Sequence, residues 1–564
     1  MNQTIPKENY DVVIIGAGIS GLTSAALFQK AGLSCCVLEM DPRPGGYMAG
    51  FERKKFRFDS AIHWLNDCGT NGLVTKIFRI IGDDFPKPTS QKRIRRFVSS
   101  NFDYLITNQP DQLKEQWIKE FPEDKKGIIR FFKDAQKIAK TFDKHINLSR
   151  SIKTMHWTEL PIYGLKMLGF ALPFIPHIRF SGDEGVKKGL AKYFKSEKLK
   201  SVFSSETDLL SCLIPIAWAY SNNFQNPPIG GGQAFPEWLI YTIKQMGGDL
   251  FFSSKVTRIL VENKIATAVQ LIRNNETIEI KGKYIVAACD AETLFEKMLP
   301  KNIVPEQTIK NLKEAELYSS AFTISIGLDC PSEELGFSEE SIYISDVSLE
   351  RELLGSGDPI TSGIHVLSPS VRDNTLAPQG KGTLTIFIPA WIESFDYWKC
   401  KKDENGNFIR GDEYKKLKQE IADIVIDRVQ DKLTPNLRQH IEVIDIATPI
   451  THFRYTGNKN GSMMGQRPGK KNMNKKVASY HTPVKNVFLS GHWADYGGGV
   501  PIAIKSAINT SLMILKQENK SVFKLLASYM DGKIDIKNLK ASNQLKSYDN
   551  SWTQDLTVAR KDED

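Results

Sequence analysis

Four small residues near the start of the chain have the types and spacing of a dinucleotide site. They are Gly16, Gly18, Ser20 and Gly21. They follow an apolar run at residues 11–15 and open a helix predicted over residues 20–30. Glycines let the backbone approach a pyrophosphate, which the N–H groups of the helix N-terminus would bind. Glu39 ends the next apolar strand, where its carboxylate can accept hydrogen bonds from a ribose and would repel a 2′-phosphate. The pattern predicts a dinucleotide site other than one for NADP, and a tight turn that binds nothing is the alternative.

Two further glycine-rich segments favour FAD over NAD, two cofactors that share an adenosine pyrophosphate. The first holds Arg43 and the pair Gly45 and Gly46, and its arginine can contact a phosphate or a neighbouring carboxylate. The second opens a predicted helix near the C-terminus, whose N–H groups would stabilise negative charge on a reduced flavin. Its residues are Gly499, Val500 and Pro501. A surface turn and an ordinary helix start are the respective alternatives.

The elements around these segments indicate a multi-part globular protein. The 564 residues exceed one ordinary core, and 41% apolar with 25% charged residues is typical of a folded protein. Strand and helix signals alternate at 11–46 and again at 484–516, a mainly helical region covers 100–225, and β-rich segments run from 249 to about 450. The seven cysteines lack metal-binding spacing, so no metal is expected.

With these motifs the chain resembles the carotenoid desaturase, carotenoid isomerase and retinol saturase group of the FAD-dependent amine-oxidase-like superfamily. Further segments that carry the resemblance are Phe58-Asp59-Ser60-Ala61-Ile62-His63, Gly230-Gly231-Gly232-Gln233-Ala234, Thr448-Pro449 and Arg454-Tyr455-Thr456-Gly457. The matches span residues 11–516, although the region 100–225 matches weakly. The segments around His63 and Tyr455 are similar to the isomerase and saturase branch.

The resemblance implies an α/β fold with α+β character. A Rossmann-type FAD-binding domain of the glutathione-reductase-like class would be interleaved with a substrate domain of mixed sheet and helices. Val256 would take the position whose backbone meets adenine. The implied segments are FAD-binding parts at 1–100, 230–300 and 448–516, a helical substrate- or membrane-facing insertion at 101–229, a substrate-domain sheet at 301–447 and a polar tail at 517–564.

Two positions depart from the family pattern. Tyr47 stands where family members often carry a basic residue, and His492 stands where many superfamily members have an acidic residue that binds the ribityl or phosphate region. Asp495 is the candidate to replace that acidic group.

The catalytic candidates are His63 and Tyr455. His63 follows a strand that should approach the flavin, so it is expected to donate a proton or position the flavin, and a histidine satisfied by a backbone carbonyl is the alternative. Asp59, Tyr455 and Arg454 are expected to hold the flavin or the site entrance, unless Asp59 and Arg454 form a structural pair.

The net charge of +10 suits nucleic acid, an anionic membrane or simple solubility. Because no nucleic-acid-binding motif is present, no nucleic-acid partner is expected. The apolar stretch at 160–176 is too short for a span and has basic flanks, so it is expected either to lie in the interface of an anionic bilayer or to be buried as a lid or core helix. No secretion signal is visible, and a cytoplasmic protein, peripheral on the inner face of the membrane, is expected.

The resemblance implies an FAD-dependent oxidoreductase that desaturates, saturates or isomerises a lipophilic polyene by hydride transfer with flavin N5. An apolar tunnel would draw on Trp157, Trp218 and Phe224. A flavin amine oxidase and a non-catalytic flavin-binding partner protein remain alternatives. The bonds altered, the electron acceptor and the oligomeric state stay open.

Overall fold

The computed structural model describes residues 6–404 and 406–556. The strands are β1 Asn9–Ile15, β2 Cys35–Leu38, β3 Gly50–Arg53, β4 Phe56–Asp59, β5 Thr89–Ser90, β6 Arg93–Val98, β7 Asp103–Thr107, β8 Gln225–Asn226, β9 Asp249–Phe251, β10 Lys255–Glu262, β11 Ile265–Arg273, β12 Glu276–Ala287, β13 Ser320–Leu328, β14 Ser341–Ile344, β15 Ile364–Leu367, β16 Gly382–Ala390, β17 Lys401–Lys402, β18 Phe408–Ile409, β19 Ile441–Ala447 and β20 Val487–Leu489.

The helices lie between and after these strands. They are α1 Ile19–Lys30, α2 Leu73–Ile81, α3 Asp111–Glu120, α4 Lys125–His145, α5 Leu160–Ala171, α6 Ile175–Ile178, α7 Asp183–Leu190, α8 Glu197–Ser201, α9 Leu209–Tyr220, α10 Ala234–Gln245, α11 Ala291–Thr293, α12 Glu306–Lys313, α13 Arg351–Leu354, α14 Ser394–Trp398, α15 Asp412–Leu433, α16 Pro449–Thr456, α17 Lys470–Asn474, α18 Gly499–Glu518, α19 Lys520–Met530 and α20 Ile536–Ala541.

The first sheet has seven strands in the order β10-β11-β12-β1-β2-β9, with β20 also paired to β12. The strands β12, β1, β2, β9 and β20 run parallel, and β10 to β12 form an antiparallel meander. β1 is buried at Val12, Val13, Ile14 and Ile15, as a central parallel strand covered on both faces must be. Helices α10 and α18 each pack on α1 beside it. This is the Rossmann-type unit that the glycine motifs predict.

The second sheet has seven strands in the order β19-β13-β16-β15-β14-β6-β7. It is antiparallel except for the parallel pair β14 and β6. Helix α15 packs its buried face, including Ile421, Val425 and Val429, into the core of this sheet. A third core joins β6 and β7 to the helices α3, α4, α7 and α9. The interleaved substrate domain is therefore a sheet with helices on its outer side.

Two implied segment boundaries need correction. The first FAD-binding part was expected to reach residue 100, but β6 belongs to the second sheet, because its edge pairs with β14 rather than with the first sheet. The polar tail was expected from 517, but α19 and α20 bury Leu526, Met530 and Leu539 in the core of the first sheet. Residues 557–564 of that tail lie outside the described residues.

Candidate functional site

One cavity of about 1680 Å³ joins the glycine motifs of the first sheet to the inner face of the second sheet. The predicted site residues in its wall are Gly16, Gly18, Ser20, Glu39, Gly45, Gly46, His63, Val256, Tyr455, Gly499, Val500 and Pro501. Its volume exceeds the 300–1,000 Å³ or so of a site for one drug-sized ligand. The cavity therefore has room for a dinucleotide together with a second ligand.

The first glycine turn is shaped by close backbone contacts on one side and open space on the other. Gly16 has φ +105°, and a Cβ there would lie 2.6 Å from the Ala288 carbonyl oxygen. A Cβ on Gly21 would lie 2.0 Å from the Gly16 carbonyl oxygen, so Gly21 is needed for packing and does not line the cavity. A Cβ on Gly18 would meet no atom within 4 Å. The turn is thus closed against the protein and open to a ligand.

Glu39 is fixed at the end of β2 by the backbone of the glycine turn. Its carboxylate accepts hydrogen bonds from the N–H groups of Ala17 at 2.6 Å and of Asp41 at 2.9 Å. Burial raises the pKa of Glu39, and these two N–H groups oppose that rise. The second glycine pair comes close to the first turn, because Gly45 bridges to Gly18 and its N–H donates to Ala17. The Glu39 carboxylate and the backbones of the two glycine turns, the first at residues 16–21 and the second at residues 45–46, therefore lie next to one another.

The C-terminal segment is attached to the N-terminal one by a buried hydroxyl cluster. The Ser20 hydroxyl lies 2.6 Å from that of Ser490 and 3.2 Å from that of Ser506. Gly498 precedes α18, and Gly499 has φ +80° at the first residue of that helix. The N-termini of α1 and α18 therefore open into the same cavity, although they are far apart in the sequence.

Arg43 and Asp59 are predicted contact residues that do not line the cavity wall. Arg43 forms an ion pair with Asp41, with Nε and Oδ1 3.3 Å apart, and lies over the ring of Tyr455. The Asp59 carboxylate accepts a hydrogen bond from the Gly232 N–H at 2.8 Å, and a Cβ on Gly231 would lie 2.7 Å from the same oxygen. Both side chains are turned towards neighbouring protein groups rather than towards the cavity.

Asp495 does not replace the missing acidic residue. Its carboxylate pairs with Lys505 at 2.8 Å and accepts a hydrogen bond from the Tyr480 hydroxyl at 2.9 Å. His492 itself lines the cavity, and burial lowers its pKa to about 4. The position that the family fills with an acid is therefore a neutral imidazole here at physiological pH.

Tyr47 is the other departure from the family pattern, and it lines the cavity. Its hydroxyl donates to the carbonyl oxygens of Gly461 and Ser462 at 3.0 and 2.9 Å. Tyr47 thus connects the second glycine pair to the segment after α16. Its ring also packs against His452, and a basic residue has no ring that could make this contact.

His63 stacks on the inner face of the second sheet. Its ring lies 4.5 Å from that of Phe387 with 9° between the planes, and His365 stacks on Phe387 at 4.6 Å. Burial, with a smaller contribution from Arg372, lowers the pKa of His63 to about 3. The ring is neutral at physiological pH and does not act there as an imidazolium proton donor.

An aromatic row crosses the second sheet, and sequence reasoning did not find it. The row comprises His63, Phe387, His365, Tyr343 and Phe97. Cross-strand register places Phe97 opposite Tyr343, Tyr343 opposite His365 and His365 opposite Phe387. All but Phe97 line the cavity. Alternation along β6 could have suggested that Arg95 and Phe97 share a face, but the neighbouring strands come from distant parts of the chain.

The remaining predicted tunnel residues separate into two groups. Trp218 lines the cavity, whereas Trp157 is 73% exposed on the surface and Phe224 is buried outside the cavity wall. Residues 160–176 do not line the cavity, whereas residues of the second sheet do.

Tyr455 lies in the wall of the cavity, and the guanidinium groups of Arg43 and Arg454 are each 5.0 Å from its ring centroid.

Comparison with known proteins agrees with this geometry. Residues 14–81 match the family described as NAD(P)-binding Rossmann-like domain. The chain is 27% identical over 527 residues to the all-trans-retinol 13,14-reductase of Danio rerio, covering 86% of this chain and 82% of the relative. It is 26% identical over 477 residues to the chloroplastic prolycopene isomerase of Daucus carota, covering 81% of this chain and 72% of the relative.

Among solved structures, cyclohexylamine oxidase from Brevibacterium oxydans IH-35A is similar in fold, with a TM-score of 0.54 at 15% identity. The match covers 90% of this chain and 99% of that one. The chain therefore shares the fold of this structure, with a Rossmann-like dinucleotide-binding domain at residues 14–81.

The names of the two sequence relatives agree with the resemblance of the motifs to the carotenoid desaturase, carotenoid isomerase and retinol saturase group.

Proposed function

We propose that the protein binds FAD and uses it to desaturate, saturate or isomerise a lipophilic polyene of the carotenoid or retinoid type. The proposal is carried by the single cavity that joins two glycine-rich helix starts to a row of aromatic rings. Relatives named for a retinol and for a carotene isomer support this substrate class.

The cavity residues on the first sheet provide for an FAD. The open space at Gly18 leaves room for a pyrophosphate, and Glu39 presents a carboxylate to a ribose. Val256 would meet the adenine, and the N-terminus of α18 at Gly499, Val500 and Pro501 would face the flavin ring. When bound, FAD supplies hydride acceptance or donation at N5.

The chain's own residues orient the substrate and exclude water. Flat rings stacked across the second sheet suit a flat, conjugated chain, since apolar and aromatic surfaces give large contact areas at low entropic cost. His63 is neutral and stacked, so its proposed role is to position the substrate or the flavin through its ring and N–H. Tyr455, held between two arginines, is proposed to contact the ligand at the cavity wall.

The test is an anaerobic assay of the FAD-loaded protein, with its flavin oxidised in one series and chemically reduced in another, with phytoene, prolycopene, all-trans-retinol and a panel of amines. Products are separated by chromatography while flavin absorbance is followed. A polyene converted without flavin bleaching by any amine is the expected result. Rapid bleaching by an amine with no polyene turnover would instead make the protein an amine oxidase, and bound flavin without any turnover would favour a non-catalytic protein.

The protein is further proposed to take its substrate from the cytoplasmic, anionic face of a membrane through α5. This helix, all of whose residues the structure describes, is apolar yet contains no buried residue, and Leu165 is 72% exposed. The alternative of burial in the core therefore loses its support. Lys153, Lys166 and Arg179 surround the helix with positive charge, which suits an interfacial segment. Within the part of the chain that is described, no helix has both the length and the apolarity to cross a bilayer.

A further inference from the structure

Three polar side chains at one end of the aromatic row face the cavity with incomplete hydrogen bonding. They are Arg95 on β6, Tyr343 on β14 and His365 on β15, and all three line the cavity. None of them belongs to the motifs that bind the dinucleotide. Their shared position on adjacent strands makes them a candidate subsite for part of a substrate.

Tyr343 is only 4% exposed, and its hydroxyl makes no hydrogen bond of normal geometry with any described residue. The side chain of Ser205 is close enough to oppose the rise that burial causes in the pKa of Tyr343. The same is true of Nδ1 of His365, whose ring lies 4.8 Å from that of Tyr343. Buried polar atoms in native proteins are nearly always hydrogen-bonded, because leaving them unpaired is costly. The two atoms therefore point to a partner that a ligand brings.

Arg95 adds hydrogen-bond donors to the same place. Within the described residues its ion pair is with Glu206, and the 3.7 Å between Nη1 and Oε1 is longer than a hydrogen bond. Glu206 and Thr207 also line the cavity, and burial raises the pKa of Glu206. A guanidinium with unused N–H groups and a carboxylate thus stand together beside the tyrosine.

The charge balance of this place favours a neutral ligand group. Glu206 offsets Arg95, and the neighbouring Arg351 is paired with Asp183 at 2.6 Å. Arg467 also lines the cavity here and donates to the Thr207 hydroxyl. An added carboxylate would be repelled by Glu206, whereas a hydroxyl could accept from Arg95 or Tyr343 and donate to Glu206. The set of donors and acceptors matches an alcohol.

On the basis of the function proposed above, we propose that Arg95, Tyr343 and His365 form a specificity subsite for a hydroxyl group at one end of the polyene. Within the subsite, Arg95 on β6 lies three strands from the Phe387 strand, which corresponds to about 14 Å at about 4.8 Å per strand, whereas His365 stacks directly on Phe387. The hydroxyl would lie between Arg95 and Tyr343, and the polyene would run from there past His365 towards His63.

Binding to the FAD-loaded protein tests this inference independently of turnover. Trp64 and Trp218 line the cavity, so quenching of their fluorescence reports the Kd of a polyene. The probes are all-trans-retinol, its deoxy analogue with hydrogen in place of the hydroxyl, and retinoic acid. Retinol is expected to bind at least about 10-fold more tightly than the other two, since the deoxy analogue leaves the polar groups unpaired. Equal binding of retinol and the deoxy analogue, or tighter binding of the acid, would overturn the subsite.

Tyr343→Phe removes only the unpaired hydroxyl and should fold normally. It is expected to raise the Kd of retinol about 3- to 10-fold and to leave the Kd of the deoxy analogue unchanged. Arg96→Met is the matched control, because Arg96 is on the opposite face of β6, where it pairs with Asp103. An equal change for both ligands in Tyr343→Phe would make Tyr343 structural and reject the proposal. Loss of discrimination combined with turnover of hydrocarbon polyenes would reject the subsite while leaving the proposed function in place.

Discussion

The imidazole of His63 lies parallel to the ring of Phe387, with centroids 4.5 Å apart, and its pKa is lowered to about 3 by burial. Stacking and neutrality together favour a positioning role. If polyene turnover is confirmed, its pH profile should show no inflection between about pH 5 and 8 that belongs to His63. His63→Phe, which can keep the stack, should retain FAD and the same profile shape. Disappearance of an inflection in that range would restore His63 as a proton donor.

His452 is expected to make the protein sensitive to acid. Burial lowers its pKa to about 4, so below about pH 6.5 the unfolded chain takes up a proton that the folded protein does not. The stabilisation from the neutral ring is complete above that pH and is lost as the pH falls towards 4. Between pH 7 and 5, His452→Phe should lose about 2 kcal/mol less unfolding free energy than the wild type. Chemical denaturation at both pH values measures it, with His156→Phe at an exposed site as the control.

Gly18→Val and Glu39→Arg should each give colourless protein on purification. A side chain at Gly18 enters the open space of the cavity, and an arginine at 39 loses the acceptor for the ribose. The visible absorbance of flavin per protein chain is the measurement. Gly411→Val is the matched control, since a Cβ there also meets no atom within 4 Å but lies outside the cavity wall. Stoichiometric flavin in both variants would contradict the assigned site.

Leu165→Glu combined with Leu168→Glu should abolish co-flotation with vesicles that contain phosphatidylserine. Charges on the exposed face of α5 oppose its entry into the interface, and salt should weaken the wild-type binding through the basic flanks. Ile360→Glu introduces the same charge at another exposed apolar residue and should still float. Failure of the wild type to float would count against the membrane proposal.

Met530→Ala should destabilise the protein by about 2–5 kcal/mol, because Met530 is fully buried where α19 packs on the first sheet. Thermal or chemical unfolding provides the measurement, and Lys524→Ala, at an exposed position of the same helix, should change stability by less than about 0.5 kcal/mol. An unchanged stability in Met530→Ala would mean that the C-terminal helices are dispensable.

The first sheet could be predicted because its evidence is local. The apolar strand β1, the turn at Gly16 and the carboxylate of Glu39 lie within about 30 residues of one another. Each can be recognised from the sequence because its residue type has one physical explanation. The predicted helix start differed by one residue from the observed Ile19. The start of α18 at Gly499 could be predicted for the same reason, because its signal also lies within a short segment.

The substrate side of the cavity could not be predicted, because it depends on strand pairing. Arg95 and Phe387 face one cavity only because β6, β14, β15 and β16 lie side by side, and no periodicity along the chain encodes that order. Likewise, Asp495 was taken for a ligand contact because its pairing with Lys505 is invisible before the fold is known. Most wrong predictions of a ligand contact concern side chains that pair with other protein groups in the folded structure.

The contact between Ser20 and Ser490 joins positions 470 residues apart. At about 5–20 residues per second, synthesis of the intervening chain takes between about 20 and 100 s. During that time the nascent first sheet lacks β20 and α18, and the start of α18 supplies part of the cavity wall. The cavity can therefore be completed only after nearly the whole chain has been synthesised.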